Sequence, residues 1–187
     1  MVRTVPSVNS YEVNHSQFLA RNIVARLKTL GGWLSLAESC TGGLIAHEIT
    51  QVPGSSGIFY GASVVYHPNF KTQVLRVPKF ILHRRGPVSQ EVARKMALGA
   101  IKLLQSTPGL SRRSNPPLFG LSTTGVAGPG GGSLLNPVGT CWMAMAMSTQ
   151  EVWVKKVVAP PGFSREANKT LFAKEALEML HLGIESY

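Results

Sequence analysis

Ser39 and Cys40 stand side by side in "LAESCTGG" (36–43), followed by Thr41 and two glycines. Either side chain can act as a nucleophile, and a serine needs a base to take its proton. The stretch lies where a short apolar strand hands over to a helix. Backbone N–H groups at a helix start are unpaired and point outward. They bind a phosphate or a developing oxyanion and favour an alkoxide in their field. Gly42 and Gly43 let a ligand or another backbone approach closely. The spacing is not that of the G-x-S-x-G elbow. Taken locally, an ordinary helix cap explains the stretch better than either nucleophile does, with Ser39 or Thr41 capping and Glu38 complementing the dipole.

The search for a base narrows the choice. The sequence contains no aspartate, and all nine acidic residues are glutamates. A Ser-His-Asp triad, a Walker B aspartate and an Asp-based metal cluster are therefore excluded. The five histidines (15, 47, 67, 83 and 181) are scattered without helical pair spacing, which supports metal catalysis poorly and marks out no partner for Cys40. Cys40 then reads as a small buried residue packed behind the turn. A lysine base remains. "VVYHPNFK" (64–71) places Tyr66 at a strand end and Lys71 in the following turn. A lysine desolvated against apolar walls becomes neutral enough to accept a proton. Tyr66 can relay that proton or position the amine. Most lysines after strands are surface charges, so Lys71 gains weight only as part of a set.

Two further stretches complete the set. "TTGVAGPGGG" (123–132) has neither Walker A nor Rossmann spacing. A glycine-rich turn at a strand end is nonetheless where open α/β sheets bind ligands. Thr124 and Gly125 offer a hydroxyl and an amide there. Arg165 and Lys169, one helical turn apart, open the last helix. A phosphate at that point would meet cations and helix N–H groups together. Two solvated charges explain the pair about as well.

The elements that must hold these residues follow from periodicity and punctuation. Residues 1–15 read as a flexible arm. Ser16 is expected to cap a helix to about Leu30, with Leu19, Ile23 and Leu27 at helical spacing and Gly31-Gly32 ending it. "WLSLA" (33–37) is a strand, and "LIAHEITQV" (44–52) a helix. "GASVVY" (61–66) is β-branched and apolar, and reads as a buried strand. A short helical segment runs to about Leu75. Residues 89–105 form a helix capped by Ser89, and 118–124 a strand. Residues 140–147 and 151–159 form a hairpin around "STQ". A last amphipathic helix starts at Ser164. Helices therefore cover both faces of a mixed sheet of about five strands, an α/β layered domain. Residues 106–117 form a Pro- and Ser-rich basic loop.

Composition sets the limits. At 187 residues and 44% hydrophobic the chain suits one domain, residues 16–187, with a real core. No apolar run approaches the ~20 residues of a membrane span. The N-terminal stretch has no signal h-region, and Glu12 with the lack of an arginine-rich amphipathic pattern argues against organellar targeting. Two cysteines make neither a disulfide framework nor a four-cysteine zinc site, so a reducing, cytoplasmic setting is expected. Of the net charge of +10, residues 71–113 carry most: ten Lys/Arg against Glu91 alone. Such a cluster can bind phosphate-bearing partners. A solvated face accounts for most of it, and without interleaved aromatics nucleic acid is not an expected partner.

The stretches "LAESCTGG", "VPGSSGIFYGASVVYHPNFK", "GPVSQEVARKMA", "TTGVAGPGGG" and "NPVGTCW", with the Arg165 helix, occur together and in this order. From about Ser16 to Leu180 the sequence resembles the C-terminal domain of the competence/damage-inducible CinA family. The resemblance implies a three-layer α/β/α sandwich. It also implies an activity, the hydrolysis of the carboxamide of nicotinamide mononucleotide to nicotinic acid mononucleotide and ammonia, without metal or cofactor. It makes Ser39 the nucleophile, Lys71 its base and Tyr66 an assisting hydroxyl. Thr124 and Gly125 would contact substrate and Arg165 its phosphate. From their place at the helix start beside Ser39, Thr41, Gly42 and Gly43 are expected to bind substrate as well. A homodimer is expected. The long form of the family adds an N-terminal nucleotide-pyrophosphatase domain, which these residues do not contain. The sequence departs from the family pattern in three places. The turn reads "YHPNFK", Lys169 replaces an arginine and loses its bidentate grip, and the 106–117 loop is longer.

Overall fold

Leu19, Ile23 and Leu27 recur every fourth residue and all are buried, so one face of the first helix is committed to the core. A computed structural model describes residues 10–106 and 116–187, with side chains from residue 15 onward. In it α1 runs Ser10–Leu30. The helix thus starts six residues ahead of the expected Ser16 cap. Ser16 is buried within it, and residues 10–15 of the expected arm are helical. Residues 1–9 of that arm, and 107–115 of the expected loop, lie outside the described residues.

Three strands, β1 (Trp33–Glu38), β2 (Phe59–Val64) and β3 (Leu118–Val126), run parallel. They continue into the antiparallel pair β4 (Thr140–Met147) and β5 (Val152–Val158), giving one sheet in the order β2-β1-β3-β4-β5. The mixed sheet is the one expected. Alternation along β4 divides the core. Cys141, Met143 and Met145 pack with α1, α2 (Leu44–Thr50) and α6 (Arg165–Glu185), whereas Ala144 and Ala146 pack with α5 (Gln90–Gln105). A second cluster under α5 includes Leu75 of α3 (Pro68–Leu75) and Ile81 of α4 (Lys79–Arg85). The result is a three-layer α/β/α sandwich. Each fully buried Leu, Ile or Phe in it contributes about 1.5–3 kcal/mol.

Two expectations need correction. "GASVVY" is not a buried strand: among the described residues β2 lies at the sheet edge, paired with β1 alone, and its residues alternate between half-buried and exposed. An apolar β-branched run fits an edge as well as a centre, because only the partner strands decide which faces are covered. Residues 79–85 carry no helical signal in the sequence. They form α4, seven residues entered at Pro78, too short and too basic to show a periodic stripe.

The stacking of α3, α5 and β3 matters most for function. A β-carbon on Gly99 of α5 would collide with the Leu75 carbonyl, so glycine lets α3 lie directly on α5. Beneath, Ser122 Oγ of β3 donates to the Ala93 carbonyl of α5 over 2.7 Å. Lys71 on α3, Met96 on α5 and Thr124 on β3 thereby meet at one point.

Candidate active site

The turn after β1 is organised by Glu38. Its carboxylate accepts the N–H groups of Gly43 (2.8 Å), Ile45 (3.4 Å) and Ala46 (2.8 Å) at the start of α2. Glu38, not Ser39 or Thr41, is therefore the side chain that caps this helix. Gly43, at φ 96°, turns the chain into α2. Glu38→Ala would leave three donors without their partner, one of them buried and two half-buried, and is expected to cost about 2–4 kcal/mol in urea unfolding, against a smaller loss for Glu38→Gln. Equal losses for both would mean that acceptor geometry is not what Glu38 supplies.

With capping assigned to Glu38, Ser39 is left to face a cavity of about 260 Å³, which Cys40, Lys71, Thr124, Gly125 and Arg165 also line. Thr41, Gly42 and Gly43, expected beside the reacting group, are not in its wall. Thr41 is fully buried and its hydroxyl pairs with that of Thr123 over 2.8 Å. Gly42 faces Lys169, whose Nζ stands 3.4 Å from where a β-carbon on Gly42 would be. Lys169 therefore does not join Arg165 in the cavity wall. The Gly43 N–H, drawn onto Glu38, and the Gly42 N–H, donated to the Ser39 carbonyl, are both taken within the turn itself.

Lys71 is not a surface charge. Only 1% of it is exposed. Burial lowers its pKa from the ordinary 10.5 to about 8, against an opposing pull from Cys40 and Cys141. Roughly one molecule in ten then carries the free amine at pH 7. Nζ donates to Thr124 Oγ1 (3.4 Å) and Met96 Sδ (3.5 Å), and Thr124 Oγ1 in turn donates to the Pro87 carbonyl (2.7 Å). Cys40 Sγ lies 3.7 Å from Cys141 Sγ. Burial first, then its contact with Cys40, raises the Cys141 thiol well above its ordinary range, so it stays protonated at neutral pH.

At the mouth, Tyr66 follows the end of β2 and is exposed. His67 and Pro68 stiffen the turn: His67 Nδ1 accepts the Asn69 N–H and Pro68 takes the first helical position of α3. Arg165 bridges two loops, donating from Nη2 to Tyr66 Oη (2.7 Å) and from Nη1 to the Gly128 carbonyl (2.6 Å). A β-carbon on Gly125 would collide with the Thr140 carbonyl, so this glycine serves the β3–β4 contact as well as the cavity. Ser39, Tyr66, Lys71, Thr124, Gly125 and Arg165 thus converge, from four separate stretches of sequence. Met96 and Pro87 were not foreseen. Met96 sits in the apolar stripe of α5 and reads from sequence as plain core. Of the basic segment 71–113, Arg94 and Lys102 are exposed, and Arg85 pairs with Glu91 over 2.7 Å. Among the described residues no group of three or more His, Cys, Asp or Glu could hold a metal ion, and no helix is long and apolar enough to cross a membrane.

Fold and cavity together define a class: an α/β/α domain offering one pocket a hydroxyl, a buried amine and a cation. The model of the CinA C-terminal domain matches residues 16–183, and the chain belongs to that family. It is 39% identical over 165 residues to a CinA-like protein of Desulfotalea psychrophila, covering 88% of this chain and 36% of that one. It is 40% identical over 172 residues to a CinA-like protein of Desulfovibrio desulfuricans, covering 91% and 37%. The chain thus spans little more than a third of the length of these curated relatives. Among solved structures, the competence/damage inducible protein CihA from Agrobacterium tumefaciens superposes with a TM-score of 0.80 at 33% identity, covering 98% of this chain and 99% of that one. A CinA superfamily protein from Escherichia coli gives a TM-score of 0.78 at 24% identity, covering 96% and 95%, a likeness of fold.

Proposed function

We propose that this domain hydrolyses the carboxamide of nicotinamide mononucleotide, giving nicotinic acid mononucleotide and ammonia in pyridine-nucleotide recycling. The observation that carries the reading is the buried Lys71 amine in one cavity with Ser39, in a family whose resemblance implies this reaction. The neutral amine takes the Ser39 proton, directly or through Tyr66, and Oγ attacks the carboxamide carbon. As the tetrahedral intermediate collapses, the C–N bond breaks and the Lys71 ammonium returns the proton to the departing nitrogen. Water, deprotonated by the same amine, then splits the acyl-serine ester and restores Ser39. One carboxamide and one water give one carboxylic acid and one ammonia. With the Gly43 N–H held by Glu38, oxyanion stabilisation falls to the amides of Cys40 and Gly125 in the cavity wall.

Arg165 is assigned to the substrate phosphate. Two of its N–H groups fix it to Tyr66 and Gly128, and the rest of its five-donor fork can bind an anion. Arg165→Ala is expected to raise KM for the mononucleotide about tenfold or more with kcat nearly unchanged, and to leave KM for nicotinamide riboside as it was. An equal loss for both substrates would remove the phosphate from Arg165. Ammonia release from nicotinamide mononucleotide by the purified protein tests the reading as a whole.

A further inference from the structure

We propose that Met96 and Thr124 are positioning residues that take both N–H groups of the neutral Lys71 amine and so aim its lone pair into the cavity. The inference rests on the amidase reading for its catalytic meaning, but its geometry stands apart from it.

A neutral amine has two N–H donors and one lone pair. Thr124 Oγ1 lies 3.4 Å from Nζ, and its own hydrogen is committed to the Pro87 carbonyl at 2.7 Å. A hydroxyl so engaged can only accept from Lys71. A thioether sulfur has no hydrogen to give, so Met96 Sδ, 3.5 Å from Nζ, also only accepts. Neither neighbour can donate to the lone pair, and each fixes one N–H. The remaining tetrahedral direction of Nζ belongs to the cavity that Lys71 lines together with Ser39. The titratable groups facing the amine are the thiols of Cys40 and Cys141. Pro87 completes the device from the loop ahead of α5: because its carbonyl holds the Thr124 hydrogen, the hydroxyl cannot turn round and quench the base. The ammonium formed after proton transfer keeps both hydrogen bonds, and its third N–H points where the lone pair did, toward the leaving nitrogen. Proton pick-up and return then need no rotation of a buried side chain.

Thr124→Val keeps the shape and removes the acceptor. Met96→Leu keeps the apolar volume and removes the sulfur. Thr124→Ser keeps the hydroxyl. Two readouts are taken on each: the titration of Lys71 followed by NMR of its labelled side chain, and kcat with KM for ammonia release. Thr124→Val and Met96→Leu are expected to move the Lys71 midpoint to lower pH, since each strips an acceptor from the ammonium. They should lower kcat about tenfold or more with KM within about twofold. Thr124→Ser should restore both the midpoint and most of kcat. Unmoved midpoints in folded Thr124→Val and Met96→Leu would overturn the proposal, as would wild-type kcat in both or a loss confined to KM. If the wild-type protein releases no ammonia the amidase reading fails by itself, and the titration still decides whether the two residues hold the amine.

Discussion

Ser39→Ala is expected to abolish ammonia release from nicotinamide mononucleotide, a loss of at least about 10³-fold, while leaving the melting temperature close to that of the wild type. Both halves follow from the β1–α2 turn. Glu38 makes the capping hydrogen bonds to Gly43, Ile45 and Ala46, so the helix start does not depend on the Ser39 hydroxyl. Were Ser39 the cap, its loss would cost about 1 kcal/mol and show in the melting curve. The neighbouring Cys40 provides the control. Its sulfur lies 3.7 Å from that of Cys141, a buried thiol that stays protonated, so Cys40 packs against a neutral group and not against a base. Cys40→Ala should therefore lose far less turnover than Ser39→Ala. The reverse order, measured on the same substrate, would move the nucleophile one residue along.

The second large effect is a trade between activity and stability at Lys71. Its folded pKa of about 8 lies below the ordinary 10.5. Between these values the unfolded chain holds a proton that the folded chain has shed, so wild-type stability rises with pH from about 8 to about 10.5. Below pH 8 the penalty for burying an ammonium is present in full, and a depression of this size corresponds to about 3 kcal/mol. Lys71→Met replaces the charge with an apolar chain of similar reach. The variant should lose about 10²-fold or more in kcat and gain on the order of 1–3 kcal/mol in urea unfolding at pH 7, an advantage that shrinks toward pH 10. A Lys71→Met protein no more stable than the wild type at pH 7 would show that the buried amine is not strained.

Much of this arrangement was legible in the sequence, for identifiable reasons. The β-branched and apolar runs marked out strands, and the absence of aspartate with scattered histidines left lysine as the candidate base. Ser39, Tyr66, Lys71, Thr124, Gly125 and Arg165 could be chosen because each sits where one element hands over to the next, and the structure brings all six to one cavity. What failed had a common origin in tertiary contacts. Thr41, Gly42 and Gly43 are expected in the site because a helix start offers free N–H groups, yet the buried Glu38 takes that of Gly43 and the Ser39 carbonyl takes that of Gly42. Local spacing cannot show that this carboxylate folds back rather than out. β2 reads as buried because sequence carries composition but not neighbours. Met96 was invisible for a simpler reason: a methionine in the apolar stripe of a helix looks the same whether its sulfur meets another methyl group or an amine.

The cavity uniting Ser39 and Lys71 is proposed to cleave a carboxamide and not merely to hold one. The most direct measurement incubates the purified protein with nicotinamide mononucleotide and quantifies ammonia and nucleotide together. Equimolar ammonia and nicotinic acid mononucleotide are expected, formed at a rate that climbs with pH toward a plateau above about 8 as Lys71 loses its proton. Nicotinamide mononucleotide that binds to the protein and is recovered unchanged, with no ammonia at any pH, would contradict it and leave the domain a nucleotide-binding module.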